Sequence, residues 1–234
     1  YFFGRNSVCI SFTQEKTLRI VKMHKLALFF LIILAAVFSA NCQQNTKPYN
    51  CGENAIPLFD GKSLDAWEIT QFGPQGDVYI KDKFLVLGTG DGCTGVTYKN
   101  EFPKMNYVVT LEAKRINGTD FFCGMTFPFN DEFATLIIGG WGGTVVGLSC
   151  IDGLDASQNE TGQFKRFDKN IWYSIKLEVK PEGVKVWIEN MLTIDFLKDE
   201  RPLSVRSEVL LSRPFGITSW KTTAGLRNIC LRKL

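Results

Sequence analysis

The sequence predicts an all-β fold, an antiparallel two-sheet sandwich with few or no helices. Three observations carry this. Apolar and polar residues alternate with a period of two along most of the chain. Glycine and asparagine punctuate that alternation at short intervals. No apolar pattern with a period of 3.6 persists beyond two turns. Alternation marks strands with one face on a core, and about a dozen short strands without long helices specify a sandwich.

The clearest strand is Tyr107–Lys114, with Tyr107, Val109, Leu111 and Ala113 on one face and Val108, Thr110, Glu112 and Lys114 on the other. Ile171–Lys180 sets Tyr173, Ile175, Leu177 and Val179 against Trp172, Ser174, Lys176 and Glu178. Val184, Val186 and Ile188 then alternate with Lys185 and Trp187. Pro181-Glu182-Gly183 turns between these two, and Glu189-Asn190 turns into Leu192–Phe196. Further strands are expected at 79–88, 93–99, 120–127, 134–140, 144–150, 208–212, 215–220 and 226–234.

The region before residue 55 has a different character. Residues 26–38 form an unbroken apolar run, too short for a membrane span of roughly 17–25 residues. Lys22 and Lys25 precede it, and Ser39 and Ala40 follow. This is the layout of a secretory signal peptide. Met23 is the first methionine, so residues 1–22 are expected to be a non-native extension and 23–41 the signal. The expected location is then outside the cytoplasm: periplasmic, outer-membrane lipoprotein or extracellular. Ser39-Ala40-Asn41-Cys42 has the outline of a lipoprotein box, so a membrane is expected as partner only through the signal peptide or a lipid anchor on Cys42. Residues 42–54 are polar and aperiodic, a tether, and 55–234 form one domain.

Charge and composition exclude several functions. Residues 1–41 hold five of the 27 Lys/Arg and one of the 24 Asp/Glu, which leaves 22 basic and 23 acidic residues. No basic surplus remains to neutralise phosphates, so nucleic acid is not expected as a partner. The single histidine, His24, lies in the leader. The domain therefore has no imidazole for a Ser-His-Asp mechanism or for zinc. The seven cysteines contain no CxxC pair. Cys123, Cys150 and Cys230 sit in apolar strands, where a free buried thiol is the default.

Two ends of the domain resemble a known family. Ile56–Glu68 (IPLFDGKSLDAWE) is similar to the opening motif of the 3-keto-disaccharide hydrolase domain family, and Phe215–Trp220 followed by Leu226–Arg232 to its closing motif. Trp172–Val179 with Val184–Asn190 resembles its internal hairpin. The resemblance implies a concanavalin A-like jelly roll, a saccharide ligand and an exported carbohydrate-active domain that hydrolyses or eliminates a glycosidic bond. A non-catalytic sugar-binding module and a structural envelope domain are the alternatives. In one respect the chain departs from the family. The strand that carries a carboxylate and an amide corresponds here to Ala134–Trp141, which has no acid.

Candidate site residues follow from chemistry. Glycosidic cleavage usually needs two carboxylates, for which Glu112 and Asp120 are candidates. The resemblance implies a ketone at C3, which acidifies the proton at C2, so that one base with a cation on the ketone oxygen also suffices. Arg213 and Lys221 are the candidates for that cation. Trp141, between four glycines, and Trp220, among polar neighbours, offer indole faces to a pyranose. Trp141 reads equally as core filler beside a bend. Asp152 and Asp155 occupy a loop able to hold sugar hydroxyls or calcium. No cofactor is expected.

Overall fold

The computed structural model describes Cys51 and residues 54–234; the expected extension, signal and most of the tether lie outside the described residues. Fifteen strands and one short 3-10 helix make up this region. The strands are β1 (Ile56–Pro57), β2 (Trp67–Ile69), β3 (Val78–Lys81), β4 (Phe84–Leu87), β5 (Cys93–Tyr98), β6 (Tyr107–Asn117), β7 (Cys123–Phe129), β8 (Glu132–Gly140), β9 (Val145–Ser149), β10 (Gln163–Phe164), β11 (Tyr173–Lys180), β12 (Gly183–Ile188), β13 (Met191–Leu197), β14 (Gly216–Trp220) and β15 (Thr223–Lys233). The helix, η1 (Ser207–Ser212), occupies the stretch 208–212 expected as a strand. That stretch holds three consecutive apolar residues, Val209, Leu210 and Leu211, of which only Val209 is buried. Period two cannot arise from such a run.

Two antiparallel sheets stack face to face. One runs β13-β12-β11-β6-β15-β4-β3, with β1 added against β15; the other runs β10-β9-β8-β7-β14-β5-β2. The alternation in the sequence assigns the faces. Val109, Leu111, Ile175, Leu177, Val184 and Val186 from the first sheet meet Met125, Phe127, Leu136, Ile138, Val146 and Leu148 from the second in one continuous core. Trp67 is sealed in that core with its indole N–H donating to the Leu58 carbonyl at 2.7 Å.

The hairpins take their register from residues able to adopt positive φ. The expected strand 79–88 is two strands, because Asp82 (φ 48°) and Lys83 (φ 64°) form a two-residue turn inside it. Glu189 (φ 52°) and Asn190 (φ 63°) do the same between β12 and β13, the turn twist that matches paired strands. Residues 118–122 carry the chain from β6 in the first sheet to β7 in the second.

Cys230 corrects the expectation of a free thiol: it is bonded to Cys51, with a Cα–Cα separation of 5.7 Å. Cys93, Cys123 and Cys150 are free and buried.

Candidate functional site

The outer face of the second sheet is floored with small residues. Inward positions Met125, Leu136 and Leu148 leave Gly124, Thr126, Thr135, Ile137, Gly147 and Ser149 facing out. Thr126 and Thr135 share a hydrogen bond across β7 and β8 at 3.0 Å. Side chains this short sink the floor, and taller ones stand round it. The result is a cleft of about 230 Å³. Trp141, Trp220 and Phe121 supply its aromatic walls, and Asp120, Arg206 and Glu208 its charges.

Trp141 stands in the turn between β8 and β9, 41% exposed, with φ at 47°. The structure thus answers the alternative of core filler: the indole is at a rim. Trp220 ends β14 and is half-buried; its amide donates to the Phe121 carbonyl at 3.0 Å, which ties it to the crossover segment. Asp120 lies in that same crossover. One of its oxygens, Oδ1, accepts from the Phe121 amide at 2.7 Å, while its own amide donates to Thr222 Oγ1.

Arg206 and Glu208 were not singled out in the sequence. They precede and open η1, and the signal present was opposite charges two residues apart, which share a side in extended chain. Arg206 donates from Nη2 to Glu208 Oε1 at 2.8 Å and from Nη1 to Asp155 Oδ2 at 3.2 Å. Asp155 is itself fixed by Ser157, whose amide and hydroxyl both donate to Oδ1. Asp155 therefore serves the cleft by orienting Arg206 from behind. The hydrogen bond from Arg206 holds the Glu208 carboxyl below its ordinary value of 4.5. A depressed carboxylate contributes stability above its unfolded value and loses it as pH falls through the folded one. The Arg206–Glu208 pair is therefore expected to persist unchanged from neutral pH down to about 5. A titration of the cleft tryptophans by fluorescence should show a step only at more acid pH; a step near pH 6 would contradict this geometry.

The other expected site residues lie elsewhere. Glu112 shares the outward parity of Thr110 and Lys114 on β6, so it emerges on the far side of the first sheet, where Arg227 Nε donates to its Oε2. Glu112, named with Asp120 as a candidate carboxylate, therefore does not share a surface with it: the outer faces of stacked sheets point apart. Arg213 caps η1, donates to the Leu210 carbonyl at 3.2 Å and covers the Phe133 ring at 5.4 Å, outside the cleft lining. Lys221 is exposed and paired with Asp91 at 2.9 Å. Asp152 is an exposed turn residue (φ 50°) whose amide donates to the Pro202 carbonyl. The structure thus brings Asp120, Trp141 and Trp220 together, adds Arg206 and Glu208, and recruits Asp155 indirectly.

Cys93 also lines the cleft, opposite Trp220 in the β5–β14 register. Burial first, and then Glu208, push its thiol up to about 12. It is a protonated wall at neutral pH, without the thiolate a nucleophile requires.

Stacked antiparallel sheets with an aromatic, charged cleft on one outer face define a concanavalin A-like jelly roll. Within that class the chain belongs to the 3-keto-alpha-glucoside-1,2-lyase-like domain family, which it matches over residues 54–232. No curated protein is significantly similar in sequence. Among solved structures, a galectin-like protein of unknown function from Bacillus subtilis superposes with a TM-score of 0.56 at 13% identity, covering 80% of this chain and 97% of that one. A putative glycosyl hydrolase from Parabacteroides distasonis ATCC 8503 gives 0.51 at 13% identity, over 78% and 94%. A laminarinase from Flavobacterium sp. UMI-01 gives 0.51 at 14% identity, over 76% and 98%. At these identities the likeness is one of fold.

Proposed function

We propose that the domain is an exported saccharide-handling enzyme that cleaves a 3-keto-glycoside at the cleft between Trp141 and Trp220. The observation that carries this is the meeting of two indoles, two carboxylates and one guanidinium over a floor of small side chains. In this reading the indoles take the C–H faces of the sugar. Asp120, whose Oδ1 is engaged by its own chain neighbour, removes the C2 proton with Oδ2. Arg206 faces the C3 ketone and stabilises the negative charge that develops on its oxygen. The electron pair left at C2 then forms the C1–C2 double bond as the C1–O bond breaks, and the aglycone oxygen leaves with the proton held by Asp120. Family membership supports this chemistry, and the Cys51–Cys230 bond supports an oxidising, exported setting.

The second reading, a module that binds saccharide without cleaving it, is favoured by β8. That strand presents Thr135 and Ile137 to the cleft and no acid. One experiment separates the two. Asp120→Asn is expected to lower the turnover of a 3-keto-glycoside at least a hundredfold with affinity retained, while Trp141→Ala weakens affinity about tenfold. Binding by the unaltered protein with no product at any enzyme concentration would leave only the second reading, and no binding at all would remove both.

A further inference from the structure

Arg115 takes no part in the chemistry above, yet it is placed with unusual care. It extends the inward parity of Val109, Leu111 and Ala113 on β6, so an arginine enters the end of the core, 6% exposed. A buried guanidinium must have its donors satisfied. Nη2 donates to the carbonyls of Gly139 at 3.2 Å and Gly143 at 2.9 Å, and Nη1 to that of Phe167 at 3.3 Å. Nε has no partner, and Cζ sits 5.1 Å from the Phe122 ring centroid.

Gly139 lies at the irregularity near the end of β8 and Gly143 in the turn that follows, two residues to either side of Trp141. The arginine accounts for the first of these glycines and crowds the second. A Cβ at Gly139 would lie 2.6 Å from Nη2, and one at Gly143 would lie 2.9 Å from the Thr119 carbonyl and 3.2 Å from both Nη atoms. Both residues also have positive φ, 76° and 105°. Trp141 itself is held in the left-handed region, which large side chains rarely adopt unaided. The turn closes on itself, the Gly143 and Thr144 amides both donating to the Gly140 carbonyl at 3.1 Å, and Arg115 adds a side-chain bond to the chain on each side of Trp141.

We propose that Arg115 is a positioning residue: reaching from the first sheet to the second, it holds the chain on both sides of Trp141 and so sets the height and angle of that indole over the cleft. The clamp can be tested without a ligand, and only its consequence for affinity rests on the saccharide reading.

The test uses the full chain labelled with 5-fluorotryptophan. Five tryptophans give five fluorine resonances, and Trp141→Phe identifies one of them. Arg115→Met should shift or broaden the Trp141 resonance and leave those of Trp172 and Trp187, on the other sheet, in place. It should also weaken binding of a 3-keto-glycoside about tenfold, and do so no further when Trp141→Phe is already present. Should Arg115→Met fail to fold, Arg115→Lys retains the charge, loses the forked donor and is read in the same way. A Trp141 resonance that stays put while the melting temperature falls would overturn the proposal. So would an affinity loss of equal size with and without Trp141. A moved resonance in a protein that binds no saccharide would uphold the clamp and reject the reading of the cleft.

Discussion

Replacing Arg227 with methionine is expected to cost the sandwich about 1–3 kcal/mol, although Arg227 lies on an outer face far from the cleft. The cause is Glu112. Its side chain is 4% exposed against 37% for Arg227, so the carboxylate is the buried member of the pair. The guanidinium covers it and stacks on Trp172, with Cζ 4.1 Å from the ring centroid; Lys114 approaches the same ring at 4.5 Å. Removing Arg227 strands a nearly buried carboxylate, which is far costlier than never having had one. The double variant Glu112→Gln/Arg227→Met should therefore recover most of the loss, an interaction of the kind seen only between residues in contact. Denaturant unfolding of the two singles and the double measures it, and strictly additive losses would contradict the assignment. The same variants test the placement of chemistry. Glu112→Gln should keep any turnover of a 3-keto-glycoside within about twofold, since the proposed reading gives the role of base to Asp120. A folded Glu112→Gln protein without turnover would return Glu112 to the catalytic site.

That contrast shows where the sequence was legible. The alternation at 107–114 and 171–180 determined which side chains face the core, because a strand's period is local. It could not determine which of two outer faces a polar residue occupies, because sheet membership is set by pairing between distant strands. Glu112 and Asp120 are eight residues apart, yet the crossover at 118–122 sends them to opposite sides of the molecule. Trp141 and Trp220 were legible as candidates through their polar or side-chain-free neighbours. Arg206 and Glu208 were hidden by the apolar run that follows them, which reads as strand and folds as η1. The meaning of Gly139 depended on Arg115, 24 residues earlier and aligned with the core by parity alone. Cys230 was misread for a related reason: its apolar neighbours described its strand, while its partner lay 179 residues away.

Reducing that bond, or replacing Cys51 with serine, is expected to lower stability by roughly 2–5 kcal/mol. A cross-link restrains the unfolded chain more as the loop it closes lengthens, and 179 residues separate these two cysteines. The bond also acts where the fold has little else. β1 is two residues long, and Pro57 sits opposite Cys230 in its register with β15. The disulfide therefore pins the start of the domain onto a strand central to the first sheet. Cys51→Ser is the informative variant, because Cys51 is half-buried whereas Cys230 is 1% exposed and its replacement would also disturb packing. Guanidinium unfolding should show a lower midpoint for Cys51→Ser than for the unaltered protein. Dithiothreitol should bring the unaltered protein down to that midpoint and leave the variant unmoved. Coinciding midpoints without reductant would mean that the bond does not form in solution, and the support it lends to an exported setting would go with it.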